Sequence, residues 1–310
     1  MNKKLRPNLF LIGAMKSGTS SLHVYLGAHP EIFMSDPKEP SFFVEPAQLH
    51  EEWPVIAAQP FSHDEAAYLE LFQAAGTNPV IGEASTNYAK LYKIDGVAER
   101  IHAFNPDARF IYVMRDPVER TLSHYWHEVK IGRETLDPFK AICDTLHYRE
   151  VSYYALQLRP YIERFGRDRI KTLTFEELVA SPENAIHDLY RWLGVNHDFV
   201  PDDLGERKNA TPVQMEQVRR PRLLHRFRYS HFWNALGPHM PRTVRRLGRY
   251  LAERRINRPL ISVDDVVTYL RPIQKAQTEE LRELLGRDFP EWKTLYGNAS
   301  IRSSQGNAVS

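Results

Sequence analysis

Leu9-Phe10-Leu11-Ile12-Gly13-Ala14-Met15-Lys16-Ser17-Gly18-Thr19-Ser20-Ser21 is the stretch whose pattern decides the fold. Leu9 to Ile12 form a continuous apolar run that breaks at Gly13, as expected of a strand buried on both faces in a parallel sheet. A Gly/Ser/Thr loop follows. Leu22, Tyr25 and Leu26 then recur at helical spacing until His29-Pro30 stops the pattern. Strand, loop and helix within about twenty residues make half of a βαβ unit. At such a junction, backbone N–H groups and the positive helix end converge on any bound anion. Gly18 permits close backbone approach, Lys16 adds a mobile charge, and Ser17, Thr19 and Ser20 add hydroxyls suited to phosphate or sulfate oxygens.

Working outward, buried strands are expected at Pro79 to Gly82, Arg109 to Met114 and Arg169 to Phe175. Helical stretches separate them at Glu65 to Ala75, Val97 to Phe104, Val118 to Lys130 and Ala155 to Phe165, with another at Glu183 to Leu193. Strands alternating with helices predict an α/β fold, a P-loop-like parallel sheet flanked by helices. The loop is not that of a nucleotide triphosphatase, whose lysine directly follows the last glycine; here Lys16 precedes Gly18 by two. Nor does a strand end in an aspartate suited to magnesium, because Phe110 to Met114 runs into Arg115 before Asp116. Transfer without a metal is therefore expected.

The 310 residues carry 41 Lys plus Arg against 39 Asp plus Glu, a net charge of +2 that gives no reason to expect nucleic acid as a partner. Cys143 is the only cysteine, which excludes an internal disulfide and a cysteine zinc cage and points to a reducing compartment. The apolar stretch Leu9 to Met15 is seven residues long, too short for a membrane span, so a cytoplasmic protein is expected. One block stands apart: Arg219 to Arg258 holds twelve arginines and a single acidic residue, Glu253. Within it Val244, Leu247 and Leu251 recur at helical spacing among arginines, the pattern of a basic amphipathic helix. It reads either as a helix packed by its apolar stripe or as a lid, with peripheral membrane contact, over an anionic or amphiphilic acceptor. Val263 to Leu270 and Gln274 to Leu285 look like two closing helices. Residues 1–297 are expected to form one domain, with about 213–262 as a helical insertion and 298–310 as a flexible tail.

Three segments carry a resemblance to a known family: Lys16-Ser17-Gly18-Thr19-Ser20-Ser21, Arg115-Asp116-Pro117-Val118-Glu119-Arg120-Thr121-Leu122-Ser123-His124-Tyr125, and Lys38-Glu39-Pro40-Ser41-Phe42-Phe43. Together they resemble sulfotransferases that use 3′-phosphoadenosine 5′-phosphosulfate (PAPS), particularly the heparan-sulfate-type branch with its soluble bacterial relatives. Gly82-Glu83-Ala84-Ser85 and Gly286-Arg287-Asp288-Phe289-Pro290-Glu291-Trp292 extend the likeness over most of the chain; the block from about Asn209 to Ser262 is not covered. The resemblance implies that the first segment surrounds the 5′-phosphosulfate, that Arg115 and Ser123 hold the 3′-phosphate, and that Glu39, three residues before the aromatic pair, is the catalytic base. It implies no metal. The acceptor would be a carbohydrate, a lipid or a small metabolite. Ala84 stands where the heparan enzymes often carry a lysine for the acidic glycan.

The residues support these roles in physical terms. A strand ending at Arg115 delivers a guanidinium to the carboxyl edge of the sheet, where open α/β folds bind ligands, and Ser123 falls in the opening turns of the next helix. The alternative is an Arg115 paired with a carboxylate and Ser123 on an ordinary surface; Arg120 is ambiguous between the phosphate site and a simple brace for the loop. Pro40 biases Glu39 toward an extended backbone, and Phe42 and Phe43 are expected to shield its carboxylate and raise its pKa. Otherwise Glu39 is a solvated acid beside Lys38, which itself is a candidate to hold substrate. Lys16 is placed to neutralise the leaving phosphate. His29 and Glu83 rank below Glu39 as bases, and His124 and His127, three apart, lack an apparent third metal ligand. A nucleotide-dependent kinase and a non-catalytic binder of adenosine 3′,5′-bisphosphate are the competing functions.

Overall fold

The computed structural model describes residues 5–205, 214–218 and 253–297. Five strands form one parallel sheet in the order β2-β3-β1-β4-β5: β1 (Leu9–Gly13), β2 (Ile32–Met34), β3 (Val80–Ala84), β4 (Arg109–Met114) and β5 (Ile170–Thr174). β1 is central and buried throughout, which is why its sequence is uninterrupted apolar residue rather than alternation. After α1 (Thr19–Ala28) the chain passes to the edge strand β2, and α2 (Pro46–Glu52), α3 (Pro54–Ala57) and α4 (Glu65–Glu70) lead back to β3 beside β1. α5 (Val97–Phe104) then carries it across to β4 on the other flank of β1. Strand order thus reverses around β1, and the loops after β1, β3, β4 and β5 gather at one edge, where ligands bind in open α/β sheets.

Two cores cover the sheet. Leu9, Leu11, Ile111 and Val113 meet Leu22 and Leu26 of α1 and Ile186, Leu189 and Leu193 of α11 (Pro182–Leu193), following α6 to α10, which span Pro117–Lys130, Pro138–Asp144, His147–Glu150, Tyr154–Phe165 and Phe175–Ala180. The alternate residues Phe10, Ile12, Phe110 and Tyr112 face a larger core built with α5, α6, α9, α12 (Asp264–Leu285) and α13 (Lys293–Tyr296). Period-two alternation within each strand separates the two faces. A backbone antiparallel pair, β6 (Gln214–Val218) with β7 (Glu253–Asn257), lies against α6.

The structure departs from the expected elements in four places. β2, only three residues after a proline, is too short to show a pattern. The stretch from Glu65 breaks at Leu71 into α4 and a single 3-10 turn, Gln73–Ala75. The two closing helices are one, α12, in which Pro272 is tolerated because buried Val266, Leu270, Gln274 and Leu281 anchor the helix on both sides of it. Within the expected helical insertion of about 213–262, the described residues include two strands, β6 and β7. The amphipathic stretch around Val244, Leu247 and Leu251 and the tail 298–310 lie outside the described residues.

β3 carries a fully buried carboxylate, Glu83, boxed by hydroxyls: Tyr68 and Tyr88 donate to Oε1 at 2.6 and 2.8 Å, and Ser85 donates to Oε2 at 2.7 Å. Burial outweighs these donors and pushes the Glu83 pKa up to about 7. Because the folded protein keeps this proton to about pH 7 while an unfolded glutamate releases it near 4.5, the stabilisation is complete below pH 4.5 and disappears as pH rises through 7. Glu176, also pushed up to about 7 by burial, adds a slope of the same sign. Glu83→Gln should therefore flatten the loss of stability between pH 5 and 7.5, by up to about 3 kcal/mol, in urea unfolding series at the two pH values. A second expectation concerns Gly13, where an added Cβ would sit 2.5 Å from Tyr112 Cε2 in the packed core. Gly13→Ala should lower the unfolding free energy by about 1–3 kcal/mol, read as a shift of the urea midpoint.

Candidate active site

The loop after β1 is shaped by short backbone bonds and two left-handed residues. Ala14 N–H donates to Val113 O at 2.6 Å, and Ser17 N–H donates to Ala14 O at 3.1 Å. Lys16 has φ 72° and Gly18 φ 92°; at Gly18 a Cβ would also meet Phe175 Cδ2 at 2.9 Å. Gly18 is the N-cap of α1, without a side-chain cap and without an acid in the first turn. Asp64, Asp116, Asp137 and Thr174 cap α4, α6, α7 and α10 with side-chain oxygens, whereas α2, α5, α9 and α11 share with α1 the lack of such a cap. α1 therefore keeps its positive end open, the arrangement that accepts an anion. Ser17 is fully buried and its Oγ has no hydrogen-bond partner among the described residues. Thr19 is buried and Ser20 half-buried at the mouth of the helix. An unsatisfied hydroxyl beside open N–H groups fits phosphate or sulfate oxygens.

Arg115 leaves β4 next to this loop, since β1 and β4 are neighbours. Its guanidinium lies over the Phe175 ring, 5.0 Å from the centroid, and donates to Glu119 Oε2 at 3.2 Å. The carboxylate-paired alternative is thus realised here, in a pair still partly open to solvent, with side-chain exposures of 21% and 31%. Phe175 touches both Gly18 and Arg115, and so joins the two halves of the edge. Ser123 is half-buried within α6. Asp116 caps α6 through Val118 and Glu119 N–H and also accepts from Leu295 N–H at 2.9 Å, fastening α13 to the start of α6.

Glu39 sits at the end of β3. Its N–H donates to Ala84 O at 2.8 Å, and its φ is 64°, so the extended backbone expected from Pro40 is not adopted. The bond to Ala84 and the tight turn through Ser41, φ 56°, override the local preference. Among the described residues only Lys16, Glu39 and Ser41 are non-glycine residues with positive φ, a conformation that costs about 1–2 kcal/mol each. Such strain concentrates at functional sites. The carboxylate accepts from Thr86 N–H at 2.7 Å and Lys38 Nζ at 2.6 Å, with Thr86 Oγ1 at 3.2 and 3.3 Å. Phe42 and Phe43 do not shield it. Phe42 stacks on Tyr68 at 4.3 Å, and Phe43 packs edge-on against Phe10, Tyr68 and Tyr88 in the core.

Positive charge dominates the space between these elements. Burial lowers the Lys16 pKa, and Lys130, Arg115 and Arg120 lower it further, while Glu128 opposes them. Arg120 is wholly buried and donates to Ser152 Oγ and Tyr148 O, bracing α8, but its Nη1 has no partner among the described residues. Lys90 is buried beneath the Trp53 ring, 4.5 Å from the centroid, and burial pulls its pKa down to about 8 against the attraction of Glu39 and Glu128. Glu128 thus lies within electrostatic reach of both Lys16 and Lys90. A cluster of desolvated cations favours a multiply charged anion.

The competing bases are otherwise engaged. His29 is buried, its Nε2 2.8 Å from Asn196 O and its Nδ1 accepting from Glu31 N–H, so both nitrogens brace the α1–β2 corner. Glu83 is enclosed by its hydroxyls. His124 packs against His147 and Tyr148, and His127 is driven down to about 4 by burial and then by Lys16 and Lys130. Among the described residues no three His, Cys, Asp or Glu side chains gather as a metal site. Sequence reasoning did not find Thr86, Lys90, Glu128 or Phe175; only Thr86 carries a local signal, directly following the Gly82-Glu83-Ala84-Ser85 motif.

Residues 7–199 match the profile of the Sulfotransferase family. Human carbohydrate sulfotransferase 15 is 24% identical over 273 residues, covering 69% of this chain and 48% of its own length. Membrane-associated sulfotransferase kil1 of Dictyostelium discoideum is 32% identical over 132 residues, 43% of this chain and 25% of its own length. The chain therefore spans about half or less of these curated relatives. A solved sulfotransferase from Alicyclobacillus acidocaldarius is 27% identical with a TM-score of 0.67, covering 93% of this chain and 99% of that one. The expected cytoplasmic location is overturned by the membrane-associated relative: a lone cysteine excludes an internal disulfide but does not fix a compartment. Among the described residues no helix is long and apolar enough to cross a membrane. With the profile covering more than half of the 310 residues, the chain belongs to the sulfotransferase family.

Proposed function

We propose that this protein moves a sulfuryl group from PAPS to a hydroxyl or amine of a carbohydrate acceptor by in-line transfer. The single observation that carries the reading is the uncapped start of α1, with the orphaned Ser17 hydroxyl and Lys16 beside it, facing Arg115 across the Phe175 ring. The spare donors fit a ligand with phosphate or sulfate at two points: Lys16, Ser17, Gly18, Thr19 and Ser20 at the sulfated end, Arg115 and Ser123 at the 3′-phosphate. When bound, PAPS supplies a sulfuryl group joined to a good phosphate leaving group. Carbohydrate is chosen because a relative is named as a carbohydrate sulfotransferase. The domain reading is proposed with it: residues 1–297 as one domain.

Glu39 takes the acceptor's proton at a carboxylate oxygen. Thr86 and Lys38 donate to the carboxylate and fix its orientation, and the roughly four lone-pair sites of a carboxylate leave room for the acceptor's proton as well. Lys16 holds positive charge where the departing phosphate oxygen gains negative charge, and the desolvated surroundings strengthen that interaction. Arg115 must share or exchange its Glu119 partner to grip the 3′-phosphate, a rearrangement its partial exposure allows. Orientation and electrostatics would carry most of the acceleration, as in phosphoryl transfer.

Transfer of label from radiolabelled PAPS to a panel of neutral and sulfated oligosaccharides tests the activity directly; a panel that stays unlabelled while adenosine 3′,5′-bisphosphate binds would reject carbohydrate transfer. Glu39→Gln is expected to lower kcat by roughly 10²–10⁴-fold with donor affinity changed by less than about two-fold, and near-normal turnover would remove Glu39 from the mechanism. Lys16→Ala is expected to lower both kcat and donor affinity, each by about tenfold or more, in the same assays.

A further inference from the structure

A chain of buried polar groups runs from β3 to the turn that carries Glu39. Ser85 Oγ, which donates to Glu83, accepts the Ser41 N–H at 3.0 Å. Asn87 Nδ2 donates to Ser41 Oγ at 3.1 Å, and Lys90 Nζ donates to Asn87 Oδ1 at 2.8 Å. Ser41, Ser85, Asn87 and Lys90 are all buried. The network therefore grips the one residue, Ser41, that shares the left-handed turn with Glu39, and it does so from the segment following β3 rather than from the turn itself. Two consecutive non-proline members of a turn held at positive φ need external fastening of this kind, because the unfastened backbone relaxes toward ordinary regions.

Resting on the reading of Glu39 as the base, we propose that Ser85, Asn87 and Lys90 are positioning residues that hold the Glu39-Pro40-Ser41 turn in its left-handed form and so aim the Glu39 carboxylate at the acceptor. None of the three needs to touch the reacting atoms. Thr86, inside the same segment, binds the carboxylate itself, so the segment fixes both the backbone and the side chain of Glu39. Lys90 adds a constraint of another kind: its ammonium is pinned between Asn87 and the Trp53 ring, so Asn87 cannot rotate without stranding a buried cation. Displacing a catalytic group by about 1 Å lowers rate by up to roughly 10²-fold, which sets the effect to look for.

The test combines hydrogen exchange with a double-mutant cycle. In Asn87→Ala and Ser85→Ala, deuterium uptake at residues 39 to 41 should accelerate while β1 and β4 peptides keep their protection. PAP release from PAPS, with the oligosaccharide panel or water as acceptor, should fall roughly 10- to 100-fold in kcat with KM for PAPS nearly unchanged. Ser85→Thr, which keeps the hydroxyl, should recover most of both. In a Glu39→Gln background the same substitutions should change turnover by no more than about two-fold. Unchanged exchange at 39 to 41 in both variants overturns the inference, and so does an undiminished loss on top of Glu39→Gln. A Glu39→Gln protein with full turnover instead overturns the role of Glu39, and the exchange data still decide whether the network holds the turn. Should Asn87→Ala lose protection throughout, Lys90→Met, which removes the donor to Asn87 while keeping an apolar stem, takes its place in the comparison with Ser85→Ala.

Discussion

Gly13 opposite Tyr112 is the contact on which the site depends. Its missing side chain lets the end of β1 lie against the tyrosine ring of β4, where a Cβ would come within 2.5 Å. That closeness accommodates the register shift between Leu11, which pairs with Ile111, and Gly13, which pairs with Tyr112, and Ala14 N–H then reaches Val113 O as the loop begins. Loops that leave neighbouring strands at the carboxyl edge of an open α/β sheet can face one ligand. β3 on the other side of β1 brings Glu39 to the same edge through Ala84, and β5 beside β4 brings Phe175.

Charge then gives the edge its purpose. Four helices meet acidic or hydroxyl caps, whereas α1 begins with a glycine and no acid. Arg120 is buried with a spare N–H, Lys16 and Lys90 have their pKa values lowered by burial, and the carboxylates nearby are already shared with other cations or N–H groups. Cations held so close in a desolvated space are unfavourable by themselves, and a polyanionic ligand relieves the repulsion. Strain points to the same place, since among the described residues the left-handed ones bearing side chains are Lys16, Glu39 and Ser41. The framework is rigid where the site requires it: β1 and β4 are fully packed, and Asp116 ties the last described helix to the start of α6.

What the sequence discloses follows how far apart the contributing residues stand. The phosphate-type loop and Arg115 are local patterns, a strand ending followed by characteristic residues, and they can be read without knowing strand order. Strands β1 and β4 are legible because buried parallel strands are apolar runs, and β3 and β5 as shorter β-branched segments; β2 is too short, and Pro272 conceals the unity of α12. The partners of Glu39 are not legible. Thr86 is 47 positions away, and it arrives only because β3 sits between β1 and β2. The backbone of Glu39 misleads in the other direction, because proline's local bias is outweighed by two tertiary hydrogen bonds, one to Ala84 and one from Ser41 to Ser85. Phe42 and Phe43 mislead similarly: an aromatic pair beside an acid suggests a shield, but the larger core claims both rings. Compartment is not encoded in these features at all.

The central claim is that the open start of α1 and the guanidinium of Arg115 grip two ends of a single adenosine bisphosphate. Isothermal titration of adenosine 3′,5′-bisphosphate into the intact chain, and into an Arg115→Ala variant with the same melting temperature, measures this directly. The account predicts saturable one-to-one heat for the intact chain and a roughly tenfold or greater loss of affinity in the variant. No heat from the folded intact chain, or equal affinity in both, would contradict it.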